Sequence, residues 1–108
     1  LAGLPVIVPA RAADAHSALH LYPIQVDAAR CGRSRRQVFD ALRAAGIGVN
    51  VHYIPVHTQP YYRRMGFSPG DFPRAEAYYA EAISLPMFAT LTDAQQDEVV
   101  AALRRALA

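Results

Sequence analysis

A chain of 108 residues, 53% of them apolar and with a formal charge of +2, is about one domain long and can bury one modest core. That balance excludes a disordered chain, and no apolar run approaches the roughly 20 residues of a membrane-spanning helix. A single cysteine, Cys31, excludes an internal disulfide framework and makes a reducing cytoplasm the default; no charged-then-apolar leader is present.

All 11 basic residues are arginine. An Ala- and Arg-rich composition is what a GC-rich coding sequence produces, but the consequence is chemical. No side chain here can form a Schiff base or act as a lysine nucleophile. The sequence starts at Leu1, with methionine only at Met65 and Met87, so a piece of a longer protein is expected.

Residues 1–15, with Pro5, Pro9 and the apolar Val6-Ile7-Val8, read as an extended connector with room for one short strand. Residues 16–108 read as the folded unit. Ala18 to Val26 has strand composition, and Pro23 within it argues for a sheet edge or a bulge. Cys31-Gly32-Arg33 reads as a turn. Ser34 with Gln37 three residues on forms a capping box, and the helix that follows puts Val38, Phe39, Leu42 and Ala45 on one face. Gly46 closes that helix.

From Gly46 to Pro60 the sequence changes character. Ile47, Val49, Val51 and Tyr53 alternate with Gly48, Asn50 and His52, the period of a two-faced strand. Pro55 removes a backbone donor, so pairing should stop near Ile54. Val56, His57, Thr58 and Gln59 then form a polar loop pinned by proline at both ends, suited to present side chains at little entropy cost.

Pro60 to Gly66 reads as one helical turn, and Ser68-Pro69-Gly70-Asp71 as a type II turn. Pro73 opens a helix with Ala75, Tyr78, Tyr79 and Ala82 inward. Ile83-Ser84-Leu85 is a short strand ended by Pro86. Thr92 and Gln95 box the last helix, whose buried face carries Val99, Val100, Leu103 and Leu107. The pattern is β-α-β, loop, α-β-α. With the third strand inserted between the first two, it predicts an α+β domain: a three-stranded antiparallel sheet, split β-α-β, with helices mainly on one face.

The chemistry on offer is sparse. His52 and His57 match no standard zinc spacing, so no metal is expected. His52, Tyr53 and His57 are the candidate ligand-pocket residues; satisfied polar groups at a domain surface are the plain alternative, equally open at this level. Cys31 lies between Arg30 and Arg33 but has no evident base. Arg30, Arg33, Arg35 and Arg36 offer phosphate contacts, or a solvated helix start, and no RNA-binding aromatic signature accompanies them. Tyr61, Tyr62, Tyr78 and Tyr79 suggest a packed surface that this chain alone does not complete. No Ser-His-Asp set, phosphate-binding glycine loop or paired carboxylates are recognisable.

Several phrases, taken in order, resemble one known family. They are His20-Leu-Tyr-Pro-Ile24, Gly46-Ile-Gly-Val-Asn-Val-His-Tyr-Ile-Pro-Val-His57, Pro60-Tyr-Tyr62, Gly66-Phe67, Phe72-Pro73, Ala75-Glu76 and Ile83-Ser-Leu-Pro86. From about His16 onward the chain resembles the C-terminal small domain of the DegT-type nucleotide-sugar aminotransferases, which are fold type I enzymes dependent on pyridoxal 5′-phosphate. Within the family it looks closest to the transaminases of pseudaminic acid biosynthesis.

The resemblance implies a full-length cytoplasmic homodimer that moves an amino group from glutamate to C4 of a UDP-linked 4-keto-6-deoxy sugar. The Schiff-base lysine and the cofactor-binding large domain would lie before Leu1, so this chain would not catalyse alone. His52, Tyr53 and then His57 are the positions it carries over as pocket-facing, orienting sugar or cofactor groups. The competing expectation is a stand-alone ferredoxin-like module that binds a small ligand or nucleic acid.

Overall fold

The computed structural model describes residues 1–108. Three strands form one antiparallel sheet in the order β1 (Val6–Ile7), β2 (Tyr22–Val26), β3 (Ala82–Leu85). Val6 pairs with Val26 and Ile7 with Gln25, while Tyr22 to Gln25 run against Leu85 to Ala82. The expected α+β class, an antiparallel three-stranded sheet with helices, is what forms.

Two details of the sheet differ from expectation. The strand expected from Ala18 begins only at Tyr22. The strand expected over residues 47–53 contracts to a single pair, Asn50 with Ser84, made by two backbone hydrogen bonds of 3.2 and 2.8 Å. The reason is local: the Val49 N–H turns back onto the Ile47 carbonyl at 3.0 Å, which breaks the extended path. β3 nevertheless lies between β2 and the Asn50 segment, as expected. Pro23 is tolerated because β1 covers only Gln25 and Val26, leaving Pro23 beyond its end.

Five helices complete the chain: α1 (Ala28–Cys31), α2 (Arg35–Ala44), α3 (Pro60–Arg64), α4 (Pro73–Glu81) and α5 (Asp93–Leu107). Both capping boxes are present, Ser34 with Gln37 and Thr92 with Gln95. α1 replaces the plain turn expected at Cys31; Asp27 caps it and Gly32, at φ +68°, ends it.

The core is the seam where α2 and α5 meet the sheet. Ile24 and Val26 of β2, Ile83 and Leu85 of β3, Val38 and Leu42 of α2, and Val99, Leu103 and Leu107 of α5 form one cluster with Ile47 and Val49. Leu1, Leu4 and Val6, from the expected connector, pack against it. Ala45, expected inward, is exposed. The stripe expected on α4 is met only in part: Ala82, just past its end, is buried and Tyr79 half-buried, but Ala75 and Tyr78 are exposed. No helix is long and apolar enough to cross a membrane.

Candidate functional site

The segment from Asn50 to Gln59 leaves β3 and crosses to the start of α3. It is held at both ends. At the first, Asn50 pairs with the backbone of Ser84, and the Ser84 hydroxyl lies 2.8 Å from His52 Nδ1. Ser84 is the one polar side chain of β3 and is 5% exposed.

At the second end, Pro55 is buried and starts a 3-10 turn over Val56–Thr58. The Thr58 N–H and hydroxyl both donate to the Pro55 carbonyl, at 3.0 and 2.7 Å. The turn drives His57 inward, to 7% exposure, where Nε2 lies 2.8 Å from Glu76 Oε1. The Phe72 ring lies against it with centroids 4.8 Å apart.

Glu76 Oε1 also accepts the Gly70 N–H at 2.6 Å. Gly70 takes φ +98° at the third position of the Ser68–Asp71 turn, a conformation that favours glycine. The Gly70 N–H first, and the His57 bond second, hold the Glu76 carboxyl below the usual carboxylate range. Val56, His57, Tyr62, Phe67, Phe72 and Ala75 enclose an apolar cleft of about 370 Å³ beside this bond.

Between the two ends the chain faces outward. Tyr53 is 69% exposed, Ile54 and Val56 are exposed too, and the Tyr53 ring meets His52 edge-on with centroids 4.6 Å apart. The structure thus brings half-buried His52 against exposed Tyr53 and places His57 inside, against Glu76. Each histidine has one engaged ring nitrogen, leaving His52 Nε2 and His57 Nδ1 without a partner in the chain.

Sequence reading found the histidines but gave no role to Ser84 or Glu76. Their bonds are the only side-chain hydrogen bonds that join residues more than six positions apart. The available signal was a lone serine inside an apolar strand.

Elsewhere the candidate residues are engaged within the chain. Arg35 stacks over Tyr79 at 5.2 Å, Arg36 pairs with Asp40 at 2.7 Å, and Arg30 reaches Asp27 at 3.9 Å. Cys31 is half-buried, with the Arg33 carbonyl 3.5 Å from its sulfur. No group of three or more His, Cys, Asp or Glu is placed to hold a metal ion.

The small split sheet thus carries exposed Tyr53 beside half-buried His52, and the chain has no lysine. The chain belongs to the DegT/DnrJ/EryC1/StrS aminotransferase family, whose pattern matches residues 1–104. It is 41% identical over 93 residues to the spore coat polysaccharide biosynthesis protein SpsC of Bacillus subtilis, covering 84% of this chain and 24% of SpsC. The PLP-form structure of Spr1654 from Streptococcus pneumoniae superposes with a TM-score of 0.86 at 29% identity, over 98% of this chain and 27% of that one. PseC of Helicobacter pylori, an aminotransferase involved in the biosynthesis of pseudoaminic acid, gives 0.73 at 26% identity, over 84% of this chain and 24% of that one. The chain therefore spans about a quarter of the length of these proteins.

Family membership raises pyridoxal phosphate as a cofactor. With 11 arginines and no lysine, the residues present do not fit it alone, since no side-chain amine is available to bond its aldehyde carbon.

Proposed function

We propose that this chain is the C-terminal small domain of a pyridoxal-phosphate-dependent aminotransferase. The whole protein would transfer an amino group from glutamate to C4 of a UDP-linked 4-keto-6-deoxy sugar, in the manner of a UDP-4-amino-4,6-dideoxy-N-acetyl-β-L-altrosamine transaminase. In this reading residues 16–108 form the body of the small domain, and the 1–15 segment that enters it adds the edge strand β1. The enzyme is a cytoplasmic homodimer, and the large domain supplies the Schiff-base lysine.

The observation that carries the reading is the family match over residues 1–104, together with exposed Tyr53 beside half-buried His52. These are side chains that can hydrogen-bond a polar ligand but cannot form a Schiff base with the cofactor aldehyde. His52 offers a ring nitrogen and Tyr53 a phenol, both suited to orient hydroxyl, carbonyl or phosphate oxygens. His57, with Glu76, shapes the apolar cleft at the rear of the segment. The likeness to PseC supports the choice of a pseudaminic-type sugar.

The test is made on the full-length protein. It should show a pyridoxal absorbance band that borohydride bleaches, and it should aminate a UDP-4-keto-6-deoxy sugar at the expense of glutamate. Absence of the band would remove the aminotransferase reading. A band with activity only on another nucleotide sugar or amino donor would leave the cofactor and overturn the substrate.

A further inference from the structure

The two histidines of the Asn50–Gln59 segment are fixed by partners of opposite chemistry. An ionised carboxylate only accepts hydrogen bonds, whereas a serine hydroxyl carries one proton to donate. At Glu76, the proton in the 2.8 Å contact must therefore sit on His57 Nε2, which leaves neutral His57 with a bare Nδ1.

Ser84 poses the reverse problem. Its hydroxyl is buried in β3 and makes no hydrogen bond other than the one to His52 Nδ1. If Nδ1 carried the proton, the Ser84 O–H would be left buried without an acceptor. An unpaired buried donor costs more than an unused acceptor lone pair. The Ser84 hydroxyl therefore donates to a bare Nδ1, and the proton of neutral His52 resides on Nε2. Which ring nitrogen holds the proton follows from the bond the other nitrogen makes.

We propose that Ser84 is a positioning residue that holds His52 as the Nε2–H tautomer, so that His52 presents a hydrogen-bond donor to an acceptor oxygen of the nucleotide-sugar substrate. The substrate half rests on the aminotransferase reading; the tautomer does not. The Asn50–Ser84 backbone pair supports this role, because it fixes the strand carrying the hydroxyl to the segment carrying the imidazole. His57 supplies the internal contrast: the free nitrogen is a donor at residue 52 and an acceptor at residue 57.

The experiment uses full-length protein with 15N-labelled histidine, read by two-bond proton–nitrogen correlation, with His52 assigned by its loss in His52→Gln. The expected spectrum shows His52 as the Nε2–H tautomer. Ser84→Ala should turn it into a mixture, and Ser84→Thr, which keeps the hydroxyl, should restore it. In the same variants kcat/KM for the keto-sugar should fall about twofold in Ser84→Ala, in step with the fraction of His52 lost from the Nε2–H form, with the glutamate half-reaction unchanged.

Adding UDP-N-acetylglucosamine should shift the Nε2 proton of the wild-type protein. A shift already complete with UDP alone assigns the acceptor to a phosphate oxygen, and one seen only with the sugar assigns it to the sugar. No shift with either overturns the substrate role. A Nδ1–H tautomer in the wild type overturns the assignment without any variant. A protein without transaminase activity that still shows the Nε2–H tautomer would refute the function and leave the positioning by Ser84 standing.

Discussion

Glu76 Oε1 gathers three pieces of chain at one atom: the 3-10 turn through His57, the Ser68–Asp71 turn through the Gly70 N–H, and α4, which carries the carboxylate. Because these bonds lower its pKa in the folded state, the charged form contributes stability above the ordinary carboxylate value of about 4.3. That contribution is lost as pH falls through the lowered folded value. Glu76→Gln keeps an acceptor oxygen but removes the charge. It should lower the denaturant midpoint at pH 7, with the difference from wild type shrinking toward zero at strongly acidic pH; a difference that persists there would rule out the charge as its source. Sequence reading reached the histidines because a strand-then-proline pattern is written in neighbouring residues. It could not reach their partners, which lie 19 and 32 positions away.

At the scale of elements, what four or five adjacent residues decide was legible. Both capping boxes, the Pro60 turn, the type II turn at Gly70 and the Gly46 helix stop all follow from local chemistry. Thr92→Ala removes the acceptor of the Gln95 N–H and should cost about 1 kcal/mol, measured from the denaturant midpoint. An unchanged midpoint would mean that tertiary packing alone sets the start of α5. What depended on neighbours was not legible. The alternation over residues 47–53 predicts a strand, but only Asn50 finds a partner, and the Ile47–Val49 turn takes up the start of the run. The α4 stripe predicts an inward face, but only Ala82 at its end is buried and Tyr79 half-buried, while Ala75 and Tyr78 stay exposed.

The whole molecule is looser than a self-sufficient domain of its length. Its radius of gyration is 15.4 Å, against about 13 Å for a compact chain of this size. Residues 8–20 lie outside the helices and strands and are all exposed, and large side chains also lie uncovered between residues 53 and 72: Tyr53, Ile54, Val56, Tyr61, Met65 and Phe72. Patches of this kind mark contact surfaces. They fit a domain that packs against further structure, with its own core confined to the α2–α5 seam.

The central claim, that this segment serves the sugar and not the cofactor, is tested most directly by His52→Ala in the full-length protein. Cofactor content and sugar turnover would be measured side by side. The account predicts that pyridoxal phosphate is retained at the wild-type level, while kcat/KM for the nucleotide sugar falls by roughly tenfold or more. Equal loss of both would contradict it and place His52 on the cofactor side of the site.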